Sequence, residues 1–417
     1  MSTWTRAQAE EHLLGLELFG MRFGLDRMRR LTTVLGSPER SFASIHVVGT
    51  NGKSSTVRMT EELLARHGRR AGSYTSPHLV SFTERIHAGG RDVEQGLFAA
   101  AVQRAARAAE AVQRTLPPGD GVTQFELLTA AAYLALAESG VEVAVVEAGL
   151  GGRWDATNTI PSRVQALTNV GLDHTRWLGP TVRDIAREKL AVVRDGATLV
   201  VGPLHPDAEE EAVATAARHD ARLIQAPESL PDVAVSAPGA FQRQNFALAA
   251  TAAEAFLGEL DASHVRAAAA SVSVAGRCEV IARDPLTIVD GAHNPPGVRA
   301  LIESLPELLG DRELVAVVSV LEDKDAAGML RELLPSSRAV VFTRNANPRA
   351  LPPATLESLA RQVAGDPPSI ELEADPHAAL RRARELAGRD GAVLATGSIY
   401  LVADLARGPG ARRASTL

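Results

Sequence analysis

The chain has 417 residues, 45% of them hydrophobic and 23% charged, with 44 Lys+Arg against 50 Asp+Glu and a formal net charge of −6. That length predicts two domains rather than one core, and mixed charge without a basic stripe argues against nucleic acid as a partner. A single cysteine, Cys278, rules out an intrachain disulfide. The N-terminal segment lacks the apolar core of a signal peptide or anchor, and no run approaches the roughly 18 apolar residues of a membrane span, so a cytoplasmic protein is expected.

Short β-branched runs alternate with Ala-rich stretches of helical period, the pattern of a parallel α/β sheet. Residues 45–48 predict a buried strand and 54–67 a helix. Between them runs Gly49-Thr50-Asn51-Gly52-Lys53-Ser54-Ser55. Its glycines let backbone N–H groups approach phosphate oxygens, the helix N-terminus adds partial positive charge, and Lys53 adds a full one. Ser54 or Ser55 can offer a hydroxyl to Mg²⁺. The loop is not a full Walker A, because Val47 stands where that pattern has glycine. A helix cap, the plain alternative, has no need of the lysine.

A helix over 123–139 leads to a strand over 141–147 that ends on Glu147. An acid at the C-terminal edge of a parallel sheet is well placed to hold Mg²⁺; the alternative is a solvated strand-end acid. A strand over 164–170 ends at Asp173-His174, which reads either as a ligand pair or as a structural histidine. A helix over 181–193, N-capped by Thr181, carries Lys189. Residues 244–257 predict an Ala-rich helix, and a boundary falls near 271–276. The second series has strands at 286–290, 314–320, 339–343, 370–373 and 392–396, with helices over 296–305 and 376–386. The polar, Gly/Pro-broken residues 408–417 predict a disordered tail.

Only three of the 44 basic residues are lysines, Lys53, Lys189 and Lys324. Arginine fills nearly every site where any cation would serve. The three lysines therefore mark places that need a compact ammonium or an amine able to lose its proton. Lys189 sits in Arg187-Glu188-Lys189 and Lys324 in Asp323-Lys324-Asp325. Set against this are an ion-paired surface lysine at 189, with Glu188 or Asp184, and compositional drift at 324.

The blocks HVVGTNGKSS, SYTSPHL, FTERI, VEAGLGGRWDATN, LDH, REK, AGR, VDGAHNP, DKD and ATGSIYLV occur in this order along the chain. In these blocks, of which GLGGRWDATN and DGAHNP are the most specific, the chain resembles the folylpolyglutamate synthase/dihydrofolate synthase family of the Mur-ligase superfamily over nearly its whole length. The resemblance implies a P-loop NTPase-like domain (1–275) with a mainly parallel sheet, a smaller Rossmann-like domain (276–407), and an active site in the cleft between them. It implies that ATP phosphorylates a folate or dihydropteroate carboxylate and that the amine of L-glutamate attacks the acyl phosphate. Position by position it implies Ser54, Ser76, Glu147, His174 and a carbamylated Lys189 as metal ligands for two Mg²⁺ ions, with K⁺ a further candidate cation. Lys53, Lys189 and His174 are the implied catalytic residues. The phosphate loop, Asn245, Arg277, Asp290 and His293 are the implied nucleotide contacts. Pro77, His78, Arg85, Arg153, Asp155, Lys324 and Ser398 are implied near the other substrates, and a monomer is expected. Ser54 departs from the family's usual glycine, which shifts the expected metal contact from Ser55 to Ser54. Cys278 stands where a larger apolar residue is common and reads as a small buried hydrophobe.

Two other readings compete. A cell-wall Mur-type ligase would act on a UDP-linked acceptor, but it would carry a further domain ahead of the phosphate loop, for which the 48 residues before Gly49 are too few. A nucleotide-binding regulator without catalysis could dispense with Lys189, Glu147 and His174, all of which are present.

Overall fold

The computed structural model describes residues 3–16 and 24–408, so nearly all of the expected tail lies outside the described residues. The first sheet contains β1 (Ala43–Val48), β2 (Ala71–Tyr74), β3 (Ile86–Ala88), β4 (Arg91–Asp92), β5 (Val143–Glu147), β6 (Val164–Leu167), β7 (Thr198–Val201) and β8 (Arg222–Gln225). Their order is β4-β3-β2-β5-β1-β6-β7-β8, parallel except for the hairpin partners β3 and β4. The second sheet contains β9 (Glu279–Arg283), β10 (Leu286–Val289), β11 (Leu314–Val318), β12 (Ala339–Phe342), β13 (Ser369–Leu372) and β14 (Ala392–Thr396). Its order is β13-β12-β11-β14-β10-β9, parallel apart from β9.

The central strands are apolar on both sides because helices cover both faces. Along β5, Ala144 and Val146 join one buried cluster while Val143 and Val145 join another. The helix Lys53–Arg66 packs against the helix Ala240–Leu257, whose alanines allow close approach, and helices Gln95–Gln113 and Gln124–Glu138 pack together on the opposite face. Thr123 and Glu126 close a capping box that starts the helix Gln124–Glu138. Thr181 caps the helix Val182–Leu190 as expected, its side chain accepting from the Asp184 N–H.

The predicted central strands of both sheets are present: β14 matches its expected bounds, β1 starts two residues earlier, β13 is shifted by one, and the others are one to three residues short. The largest difference is β6, which stops at Leu167 rather than residue 170. Beyond it Thr168 N still donates to Val48 O and Asn169 O accepts from Thr50 N, while both side chains bond to the phosphate loop. β2, the hairpin strands β3 and β4, the strand β7, the edge strand β8 and the antiparallel β9 were not anticipated; each is two to five residues long. Cys278 is fully buried, as expected, with φ +50°.

Candidate functional site

The strand order puts β1 between β5 and β6, so the segments leaving these strands meet at one edge of the sheet. The loop after β1 is braced by its neighbours. Thr50 N donates to Asn169 O (2.9 Å), Asn51 N to Asn169 Oδ1 (3.0 Å), and Thr168 Oγ1 to Asn51 O (2.6 Å). Gly49 has φ +152°, and a Cβ there would overlap Thr168 Oγ1. A Cβ on Gly52 would overlap Asn245 Oδ1, so Asn245 packs directly on the loop. Lys53 Nζ donates to Gly49 O and Thr50 O, both at 3.1 Å. Burial pushes its pKa down, while Glu147 and Asp173 oppose the shift.

Glu147 ends β5 with 2% of its surface exposed. Oε1 accepts from Ser54 Oγ (3.0 Å) and Oε2 from the Ser76 N–H (3.1 Å). Burial raises its pKa, and the Lys53 ammonium is the largest opposing influence. Ser55 is 1% exposed within the helix, so Ser54 is the hydroxyl facing the acid. Carboxylate and hydroxyl oxygens beside a phosphate loop are the donors a hard divalent cation takes. Among the described residues no group of three His, Cys, Asp or Glu side chains could hold a metal without other donors.

Lys189 is buried, and its Nζ donates to Gly49 O at 2.7 Å. Burial first, then the Lys53 charge, lower its pKa to about 7. The surface ion-pair alternative fails because Glu188 bonds Arg153 and Asp184 bonds Thr181. His174 has φ +51° and its pKa falls to about 4, chiefly through burial, so its ring is neutral at pH 7.

The second domain contributes through the segments after β10 and β11. Asn294 and Asn51 exchange amide bonds across the junction at 3.0 and 3.1 Å. Asn294 Nδ2 also donates to Asp173 Oδ2 (3.0 Å), and His293 Nε2 lies 3.5 Å from the same oxygen. Burial acts to raise the Asp173 carboxyl, but His293, Lys324 and His174 outweigh it and hold it well below the usual range. Asp290 accepts from the N–H groups of Cys278 and Ala292, both at 2.7 Å, and so shapes its own loop. Arg277 packs so closely on Gly291 that a Cβ there would overlap Nη1.

On the other side of Glu147, Arg85 is 1% exposed. Its Nε donates to His78 Nδ1 (2.9 Å), but neither terminal nitrogen has a hydrogen-bond partner. The nearby Tyr74 hydroxyl also bonds Thr129 (3.2 Å), and the guanidinium lies over the Phe82 ring, 5.3 Å from its centroid. Pro77 and His78 follow Ser76 in the same loop. Three residues expected near substrate make local bonds in this structure. Arg153 forms a half-exposed ion pair with Glu188 (2.7 Å). Asp155 closes its own turn, accepting from Leu150 N, Thr157 N and Thr157 Oγ1. Ser398 is buried and caps the helix Ile399–Ala406 through Tyr400 N (3.2 Å). Thr168, Asn169, Asp173 and Asn294 brace the site without having been singled out for that; the Thr-Asn pair directly after β6 was the available signal.

Two cavities, of about 650 and 680 Å³, open at the far edge of the first sheet around Arg40 and Pro161, away from this convergence.

The family model for the Mur ligase glutamate ligase domain matches residues 276–399. A dihydrofolate synthase/folylpolyglutamate synthase from Mycobacterium tuberculosis is 36% identical over 382 residues, covering 82% of this chain and 78% of that protein. The solved structure of Mycobacterium tuberculosis folylpolyglutamate synthase complexed with ADP matches with a TM-score of 0.89 at 33% identity, over 96% of this chain and 98% of that one. A bifunctional folylpolyglutamate synthase/dihydrofolate synthase from Yersinia pestis, complexed with AMPPNP and Mn ion, matches with a TM-score of 0.84 at 29% identity, over 97% of each chain.

Proposed function

Because the chain belongs to the dihydrofolate synthase/folylpolyglutamate synthase family, we propose that it joins L-glutamate to the carboxylate of dihydropteroate or of a folate, using ATP and passing through an acyl phosphate. The observation that carries this reading is the buried Glu147–Ser54 pair beside Lys53 at the phosphate loop. Such a cluster is suited to phosphoryl transfer, where positioning and charge neutralisation matter most.

In the first step an acceptor carboxylate oxygen attacks the γ-phosphorus and ADP leaves. Lys53 and the N–H groups of the loop offset the charge on the transferring group. Asn245, Arg277, Asp290 and His293 line the nucleotide. In the second step the glutamate amine attacks the acyl carbon, phosphate departs, and the amine loses a proton to give the amide. Closure of the two domains keeps water from hydrolysing the acyl phosphate. Arg85 is matched to a substrate carboxylate, since a buried guanidinium with two free nitrogens forms a bidentate pair with that group.

The donor set fits Mg²⁺. Glu147, Ser54 and Ser76 would hold one ion, and His174 with Lys189 a second. Bound Mg²⁺ would neutralise phosphate oxygens and orient the reacting groups. Lys189 takes part as an uncharged amine whose nitrogen adds to CO2 and releases a proton, giving a carbamate anion where the protonated lysine would be a cation. An amine with a pKa of about 7 is available for that reaction at neutral pH. One chain supplies every residue named, so a monomer suffices.

The test is ADP formation by the purified protein with ATP, Mg²⁺ and glutamate, offering dihydropteroate and a glutamylated folate separately. Turnover that requires both glutamate and one of these acceptors supports the reading. Turnover only on a UDP-linked acceptor, or ADP formation indifferent to both substrates, defeats it.

A further inference from the structure

Lys324 has no part in that scheme, although its side chain is 7% exposed and faces a carboxylate that is 8% exposed. A buried ammonium persists only when it is paired and bonded, so its placement needs a reason. Lys324 follows β11 and reaches across the domain junction. Nζ donates to Asp173 Oδ1 at 2.7 Å and lies 3.2 Å from His174 Nε2. An ammonium has three donors and no lone pair. Nε2 is therefore the acceptor, and the lone pair that a metal would use is engaged by Lys324. Asp173 meanwhile also bonds Asn294, so one carboxylate of the first domain gathers groups from two loops of the second.

We propose that Lys324 is a resident cation of this site: its ammonium holds His174 Nε2 in the metal-free enzyme, yields that nitrogen when a divalent ion binds, and keeps Asp173, so that the second domain stays seated while the metal enters. The inference rests on the reading of His174 as a metal ligand. One lone pair serves one partner at a time, and two cations at contact distance repel. A compact ammonium on a flexible stem can leave Nε2 without leaving Asp173, whereas a planar guanidinium fork cannot. That gives the third lysine of this arginine-rich chain a purpose.

The test is Mn²⁺ binding to the nucleotide-free, full-length protein, followed by loss of the free-ion EPR signal. The set comprises wild type, Lys324→Met, His174→Ala and the double variant. Lys324→Met should bind Mn²⁺ about tenfold more tightly, equivalent to about 1.4 kcal/mol. His174→Ala should bind it more weakly, and in that background the Lys324→Met gain should vanish. If Lys324→Met does not fold, Lys324→Gln, which keeps a donor for Asp173 without the charge, should show the same gain. Weaker binding in His174→Ala with no gain in either Lys324 variant overturns the competition while leaving His174 a ligand. A gain of equal size in both backgrounds means removal of a nearby charge and also overturns it. Unchanged binding in His174→Ala removes the ligand reading itself, and the proposal with it.

Discussion

Replacing Lys189 by methionine should stabilise the fold while abolishing ligation. The native amine titrates at about 7 against 10.5 for a free lysine. At pH 7 the unfolded chain therefore holds a proton that the native state holds only half the time. About 3.5 units at about 1.36 kcal/mol each, less the half-protonated remainder, come to about 4 kcal/mol against folding. Methionine removes that cost and loses the 2.7 Å bond to Gly49 O, worth about 1 kcal/mol net. The expected gain for Lys189→Met at pH 7 is about 2–3 kcal/mol. The sign with pH follows. The folded pKa is the lower one, so the unfolded state binds more protons between pH 7 and 10.5, and wild-type stability rises across that window. The advantage of the variant should therefore shrink as the pH rises from 7 to 10. Urea unfolding followed by circular dichroism in CO2-depleted buffers at three pH values measures it. A variant less stable than wild type at pH 7, or a difference that ignores pH, would refute the reasoning.

Lys189→Ala should be folded and nearly inactive, with short-chain carboxylates restoring part of the rate; Lys189→Arg should be as damaged, and full activity there would reduce Lys189 to an ordinary charge. Lys53→Arg should lose most turnover although charge is kept, because a planar fork does not fit among the loop carbonyls; near-normal kcat and ATP affinity would count against the phosphate-lysine role. Gly49→Ala should abolish nucleotide binding, since its Cβ would overlap Thr168 Oγ1 at φ +152°; ATP titration by calorimetry gives the answer, and unchanged affinity would contradict the bracing described. His46 is fully buried with a pKa of about 3, lowered chiefly by burial, and its Nε2 lies 2.9 Å from Thr157 Oγ1. The unfolded state therefore takes the proton first, and stability should fall by up to about 1.4 kcal/mol per unit as pH drops from 6.5 towards 3. His46→Gln should flatten that slope in acid unfolding, and equal slopes would remove the assignment.

Much of the fold was legible because buried parallel strands write themselves as β-branched runs. The residues 45–48, 143–147 and 392–396 lie in central strands covered on both faces, so they are apolar apart from His46 and the strand-end residues Glu147 and Thr396. The short hairpin β3–β4 and the edge strand β8 lack that signal because their residues are partly exposed. Lys53, Glu147 and Lys189 could be singled out because each breaks the local pattern: a charged residue at a strand end, or a lysine where arginine is the rule. Their meeting depends on β1 lying between β5 and β6, an order that the sequence does not state. The same limit explains Asp155, Arg153 and Ser398. A residue within a recognisable motif does not state its local bonds, which depend on how the turn around it folds.

In the proposed reaction an acceptor carboxylate is phosphorylated before the amide forms. This order is tested most directly with a dihydropteroate or folate labelled with ¹⁸O in its free carboxylate, turned over with ATP, Mg²⁺ and glutamate. In an acyl phosphate the bridging oxygen comes from the carboxylate and leaves with phosphorus when the amine attacks carbon. Mass spectrometry should find one ¹⁸O in each inorganic phosphate released and one in each amide formed. Amide formation with phosphate free of label, the second ¹⁸O leaving as water, would contradict this order.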